Sequence, residues 1–84
     1  MRQYIIDRLK EEHISEKNNK YYISLPMFNS VWFYPLLGQF IFNDKVVQFD
    51  VISEMIRDKI LVFKSIETHQ GELMPRYILN HEND

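Results

Sequence analysis

The stretch that decides the fold is residues 38–49, GQFIFNDKVVQF, in which two short apolar runs flank the pair Asn43-Asp44. Asparagine and aspartate tolerate the positive φ angles that a two-residue turn requires, so the stretch predicts a β-hairpin. The predicted register pairs Phe42 with Lys45, Ile41 with Val46, and Phe40 with Val47. Both faces of this pair are apolar, which predicts a position near the middle of the structure.

Two amphipathic segments lie on either side of the hairpin. Residues 3–14 predict an N-terminal helix, because Ile5, Ile6 and Leu9 recur at helical spacing, and residues 15–20 then predict a polar loop. Asp50 is expected to cap a second helix over residues 51–59. The apolar face of that helix is predicted to consist of Val51, Ile52, Met55, Ile56 and Ile60.

Other segments have the composition of strands, rich in aromatic and β-branched residues. They are residues 21–25, 31–34, 60–66 and 76–79. Gly71 is expected to form the turn between the last two, within residues 68–72. Pro75 cannot donate to a ladder, which favours a sheet edge for the last strand. Residues 80–84 predict a frayed polar tail.

The order of these elements predicts the fold class. Helix, strand, strand, hairpin, helix and hairpin follow one another with short connections, which favours antiparallel pairing with helices on one face. We therefore expect a single small α+β domain over residues 1–84. Its antiparallel sheet should have about four to six short strands, accompanied by two short helices.

Composition excludes several kinds of protein. The chain has no cysteine, which removes disulfides and thiolate metal sites and favours a cytoplasmic protein. With two glycines it has no phosphate-binding loop, and no apolar run approaches the length of a membrane span. The histidines His13, His69 and His81, and the acidic row Asp50, Glu54 and Asp58, are expected to be solvated. We accordingly expect no enzyme activity, no metal and no cofactor.

The aromatic residues are the strongest functional signal in the sequence. Aromatic side chains make up 14% of the chain, and many of them fall between residues 21 and 42. They either fill the core or, where adjacent rings cannot all point inward, reach the surface. Since Pro26 and Pro35 lie on either side of the strand at residues 31–34, we expect that strand at an edge, where it would bind another chain. The predicted partner-binding residues are Met27, Phe28, Trp32 and Tyr34.

A second hypothesis assigns the aromatic rings to single-stranded nucleic acid. Rings interleaved with basic residues are typical of such sites. The residues concerned are Lys17, Lys20, Tyr21, Tyr22, Arg76 and Tyr77. A net charge of −2 argues against this alternative, because nucleic-acid-binding proteins usually carry a basic excess.

The leading functional hypothesis is therefore a small cytoplasmic protein that acts by binding another protein. It would be a regulator, an inhibitor or an assembly subunit, and a homodimer formed through an edge strand is one version of the same idea. The chain lacks alanine and is rich in residues with AT-rich codons, which favours a bacterial or phage origin and fits an inhibitor encoded by a mobile element.

Overall fold

The computed structural model describes residues 1–80, which form three helices and five strands. The helices are α1 (Arg2–Asn18), α2 (Pro26–Asn29) and α3 (Phe49–Arg57). The strands are β1 (Val31–Tyr34), β2 (Gln39–Phe42), β3 (Lys45–Val47), β4 (Leu61–His69) and β5 (Glu72–Leu79). The predicted α+β class with an antiparallel sheet is confirmed, and the short helix α2 is an addition to it.

All five strands belong to one antiparallel sheet, ordered β3-β2-β1-β5-β4. The main core lies between one face of this sheet and the helices α1 and α3. Each large apolar side chain buried there stabilises the fold by about 1.5–3 kcal/mol. The buried members are Ile5, Leu9, Val31, Phe40, Phe42, Val47, Ile52, Met55, Leu61 and Leu79.

The β2–β3 hairpin has the register that the sequence predicts. Asn43 and Asp44 both adopt a φ of 56°, as a two-residue turn requires. The predicted position near the middle of the structure is wrong for β3, which is an edge strand and whose Val46 is 58% exposed. Helices α1 and α3 pack on the face that carries Phe40. On the opposite face Trp32 is buried beside Pro26 and His69, whereas Val46 at the sheet edge is left uncovered.

Strand β1 is central, so the prediction that residues 31–34 form an edge strand is wrong. The strand pairs with β2 on one side and with β5 on the other. Pro26 begins α2, and Pro35 lies in the turn that follows β1. Neither proline occupies a ladder position, and neither therefore blocks pairing.

Residues 21–25 form no strand, which corrects another prediction, and α1 is longer than expected. The helix continues to Asn18 and takes up most of the predicted polar loop. The segment after it is tied to α1, because the Glu12 carboxylate accepts the Tyr22 hydroxyl at 2.5 Å and the backbone N–H of Leu25 at 3.4 Å. These bonds hold the segment against the helix and away from the sheet.

Helix α3 begins before the predicted cap. Its N-cap residue is Gln48, which makes no side-chain capping bond, and Asp50 lies in the first turn. The prediction that Asp50 caps the helix is therefore wrong. An acidic side chain in the first turn still interacts favourably with the helix dipole.

The β4–β5 hairpin is longer than predicted. It turns through Gln70 at φ 52° and Gly71 at φ 80°, and β5 begins at Glu72. The expectation of an edge at Pro75 is wrong, since β5 lies between β1 and β4. Pro75 precedes Arg76, the first residue of β5 that pairs with β1, so its missing N–H removes no bond to that strand.

The predicted tail divides into two parts. Asn80 is not frayed, because its backbone N–H donates to the carbonyl of Ile60 at 2.9 Å and its side chain donates to the carbonyl of Lys59 at 2.9 Å. Residues 81–84, which include His81, lie outside the described residues.

Candidate protein-binding surface

The residues predicted to bind a partner do not form an exposed surface. Trp32 is 5% exposed, and its indole N–H donates to the carbonyl of Pro26 at 3.3 Å. Its ring stacks on His69, with the centroids 4.2 Å apart and the planes 3° from parallel. Trp32 is therefore part of the interior and cannot be an exposed anchor in this structure.

The other three predicted residues are half-buried. The ring of Phe28 lies 6.1 Å from that of Phe42, and the guanidinium of Arg8 lies over it at 4.0 Å. The carbonyl of Met27 accepts the backbone N–H of Asn43 at 2.9 Å. These contacts join α2 to α1 and to the β2–β3 turn, and Tyr34 ends the central strand. Partner binding by these residues stays a prediction, without the exposed edge that motivated it.

The residues of the nucleic-acid hypothesis are not brought together. Lys17, Lys20 and Tyr21 are exposed near the end of α1. The Tyr22 hydroxyl instead donates to the Glu12 carboxylate, a hydrogen bond that raises the pKa of Tyr22, and burial raises it further.

The two remaining residues of that hypothesis lie on β5 and are occupied elsewhere. Arg76 donates to Glu67 at 3.0 Å and to the Ser30 hydroxyl. Tyr77 packs between the rings of Phe40 and Phe63, at centroid distances of 6.0 Å and 6.0 Å. Since Arg76 and Tyr77 are successive residues of a strand, they point to opposite faces of the sheet. No continuous basic and aromatic surface results.

A polar cluster lies on the face of the β4–β5 hairpin that contacts Trp32, which we call the inner face. The Glu67 carboxylate accepts the Ser65 hydroxyl at 2.5 Å and the guanidinium of Arg76 at 3.0 Å. The Ser65 bond is the larger cause, and Arg76 the second, of a pKa of Glu67 held below its usual range. Because Arg76 also bonds to Ser30, which precedes β1, the cluster joins the hairpin to the start of β1.

The tip of this hairpin reaches the tip of the other one. Gln70 donates to the Asp44 carboxylate at 2.7 Å, and the Nε2 atom of His69 lies 3.7 Å from the same oxygen. Met74 on the inner face is fully buried, outside the main core. The far half of the β4–β5 hairpin therefore packs its inner face on Trp32 and leaves its outer face to solvent.

That outer face carries an exposed apolar surface, which we call the apolar stripe. Phe63, Ile66 and Leu73 are 56%, 61% and 66% exposed. The register places them on one face, because Phe63 pairs with Tyr77, Ile66 with Pro75 and Thr68 with Leu73. The stripe continues through ring contacts from Tyr77 to Phe40 and from Phe40 to Phe33 and to the half-exposed Phe49. Its members are Phe33, Phe49, Phe63, Ile66, Leu73 and Tyr77.

Acidic groups lie at the Phe49 end of the apolar stripe. Phe49 shares a shallow cavity of about 290 Å³ with Asp50, Ser53, Glu54 and Arg57 of α3. Arg57 donates to Asp58, a bond that raises the pKa of its guanidinium. Within residues 1–80, neither Asp50 nor Glu54 makes a salt bridge, and both side chains are exposed. The charge of Glu54 also contributes to the raised pKa of Arg57.

The edge of β4 is protected against pairing with another strand. A bulge interrupts its register between Phe63 and Ser65, and the residue in the bulge is Lys64. Bulges and lysines are the devices by which natural sheets prevent edge-to-edge association. The face of the hairpin, and not the backbone of its edge, is therefore the part of this region suited to binding.

Sequence reasoning missed the apolar stripe although part of its signal was available. The alternation in residues 61–79 around Gly71 would have placed Ile66 and Leu73 near each other. Ile66 was expected to end a strand, and Leu73 was assigned to neither the turn nor the return strand. The sequence does not show that the hairpin extends beyond the helices that could cover it.

Comparisons of the chain with models of protein families, with curated proteins and with solved structures find no match. None of the helices formed by residues 1–80 is long and apolar enough to cross a membrane. In the same part of the chain, no three histidine, aspartate or glutamate side chains are grouped in a way that would hold a metal ion. The case for a function therefore depends on the chemistry of the surface.

Proposed function

We propose that this protein acts by binding another protein through the apolar stripe, as a regulator, an inhibitor or an assembly subunit. The observation that carries the proposal is the contiguous exposure of Phe63, Ile66 and Leu73, each more than half accessible to water. Monomeric proteins rarely expose large contiguous apolar patches, and those that exist usually mark interaction sites. The cysteine-free sequence supports a cytoplasmic location for this activity.

The chemistry of the partner follows from the two parts of the surface. Aromatic and aliphatic side chains of the stripe favour an apolar face on the partner, because burying that area provides the main driving force. Asp50 and Glu54 beside Phe49 favour basic side chains at one end of that face, since opposite charges steer association and fix orientation. We therefore expect an amphipathic helix with lysine or arginine beside its apolar positions.

The experiment uses a synthetic amphipathic helix of leucine and lysine as the probe. A leucine and glutamate peptide of the same pattern is its control. Binding to the full chain is measured by fluorescence anisotropy, and the contact residues are identified by NMR chemical-shift changes. We expect the basic peptide to bind more tightly, with the largest shifts at Ile66, Leu73 and Glu54.

Two matched isoleucine variants make the experiment decisive. Ile66→Ser removes the centre of the stripe and should weaken binding by about tenfold or more, as truncation of a central contact does. Ile23→Ser changes an 85% exposed isoleucine outside the stripe and should leave affinity unchanged. Equal binding of the acidic peptide, or equal loss in both variants, would contradict the proposal.

A further inference from the structure

A second surface lies at the opposite edge of the sheet, between the start of α1 and the edge strand β3. A cavity of about 330 Å³ opens there, lined by side chains that include Met1, Tyr4, Phe42 and Val47. Tyr4 meets Phe42 edge to face, with ring centroids 6.1 Å apart, and about half of Tyr4 is exposed. The cavity therefore offers an apolar groove directly beside an unpaired strand, and its lining shares no residue with the apolar stripe.

Strand β3 lies at an edge of the sheet, so its outer backbone groups can pair with another strand. In antiparallel ladders, hydrogen-bonded pairs alternate with pairs that make no bonds to each other. The two-residue turn makes Phe42 and Lys45 a bonded pair, and the following pair, Ile41 and Val46, is then non-bonded. The N–H and C=O groups of Val46 consequently point away from β2, towards the free edge of the sheet.

The charge beside the groove selects the kind of segment that would occupy it. Lys45 lines the cavity, and no acidic side chain does so within residues 1–80. The first turn of α1 contains no acidic residue, and its N-cap makes no side-chain bond. The groove is thus apolar inside and positive at its rim, which favours a segment that carries both aliphatic and acidic side chains.

We propose that β3 and the groove beside it bind an extended peptide segment of another protein, which adds to the sheet as a sixth strand. The segment bonds to the backbone of Val46, inserts an aliphatic side chain into the cavity lined by Tyr4 and Phe42, and places a carboxylate near Lys45. Strand addition of this kind obtains affinity from backbone bonds and specificity from the side-chain pocket. This surface is independent of the apolar stripe, and with both occupied the protein would join two partners.

The probe is a hexapeptide of alternating glutamate and valine, blocked at both ends, and a lysine and valine hexapeptide is its control. NMR titration of the full chain should give the largest shifts at Val46 and Lys45, with slower hydrogen exchange of the Val46 amide. The lysine peptide should bind more weakly by about tenfold, because its charges meet Lys45 and the α1 N-terminus. Shifts centred on β4 and β5 would overturn the proposal.

Two variants separate this proposal from its alternatives. Lys45→Glu should reverse the preference between the two peptides, and an unchanged preference would overturn the role of charge. Val46→Pro removes the outward N–H of an edge strand, where proline is tolerated, and should abolish peptide binding with little change in Tm. If Val46→Pro does not fold, Lys45→Glu and the exchange of the Val46 amide still decide the question.

Two further controls separate this surface from the stripe and from self-association. Ile66→Ser should bind the hexapeptide with full affinity, so failure of this proposal is distinguishable from failure of the proposed function. Light scattering on the peptide-free chain should show a monomer. A dimer in which the Val46 amide is already protected would identify a second copy as the occupant and would overturn the assignment to a peptide of another protein.

Discussion

The two hairpins of this sheet turn alike and pack differently. Each turns through two residues with positive φ, Asn43-Asp44 in one and Gln70-Gly71 in the other. The short β2–β3 hairpin places one face in the main core and leaves the other uncovered. The long β4–β5 hairpin enters the core only near Leu61 and Leu79, and its far half packs on Trp32 and exposes the apolar stripe. Local turn chemistry therefore fixes register, whereas the position of a hairpin in the molecule depends on what its faces contact.

The largest expected effect comes from the core face of the short hairpin. Phe40→Ala should reduce the free energy of unfolding by about 3–5 kcal/mol, because it removes a buried core ring that contacts the rings of Phe33, Phe49 and Tyr77. Urea denaturation with an unchanged slope measures this loss. The control is Val46→Ala on the exposed face of the same hairpin, which should cost no more than about 0.5 kcal/mol. Similar losses at both positions would mean that the two faces are not distinct.

The sequence was sufficient for the part of the fold that local chemistry controls. The register of β2 with β3, the existence of α1 and α3 and the antiparallel α+β class all follow from turn residues and periodicity, whereas α2 and the exact helix ends do not. The prediction of an edge position for β1 was wrong because it depended only on how close the two prolines are to the strand in sequence. In the structure Pro26 lies in α2 and Pro35 in a turn, so neither interrupts strand pairing. The apolar stripe could not be predicted, since whether a helix covers Ile66 is decided by tertiary packing.

The second effect concerns the packing of the long hairpin. Trp32→Ala should reduce the free energy of unfolding by about 3 kcal/mol. This is the lower end of the range for a buried tryptophan, because the surroundings of Trp32 include polar groups that water can reach. The substitution should also accelerate amide hydrogen exchange in the far half of the hairpin, around Glu67 and Met74, because the tip loses the ring on which His69 stacks. Exchange that accelerates equally in the β2–β3 hairpin would contradict the separate anchoring of the two hairpins.

A smaller effect compares the turns themselves. Gly71→Ala should cost about 1 kcal/mol, because a φ of 80° is unfavourable for any residue with a Cβ atom. The cost is one of backbone conformation alone, since nothing lies within 4 Å of the added methyl group. Thermal unfolding is the measurement, and Gln70→Gly is the control, because glycine relieves the φ of 52° at that position and offsets the lost bond to Asp44. A neutral Gly71→Ala would show that the turn relaxes to another type.

The smallest effect tests the polar cluster that holds the long hairpin. The pKa of Glu67 is lowered in the folded protein, so its ionised form contributes stability above its unfolded pKa of about 4.3, and that contribution is lost as the pH falls through the folded value. Solvent screens the interaction, because the Glu67 side chain is 43% exposed, and we expect a modest change. The free energy of unfolding should therefore be higher for the parent than for Glu67→Gln at pH 6. This difference should shrink towards pH 3.

The Ser65→Ala variant identifies the cause of that pH dependence. The Ser65 hydroxyl makes the bond that lowers the Glu67 pKa most, so its removal should raise the carboxyl pKa measured by NMR titration and reduce the same stability difference. The register of the long hairpin should persist, because Arg76 still joins Glu67 to Ser30. A stability difference that stays constant from pH 6 to pH 3 would show that the ionised carboxylate does not stabilise this hairpin, and that the stacking of His69 on Trp32, the burial of Met74 and the bond from Gln70 to Asp44 hold it instead.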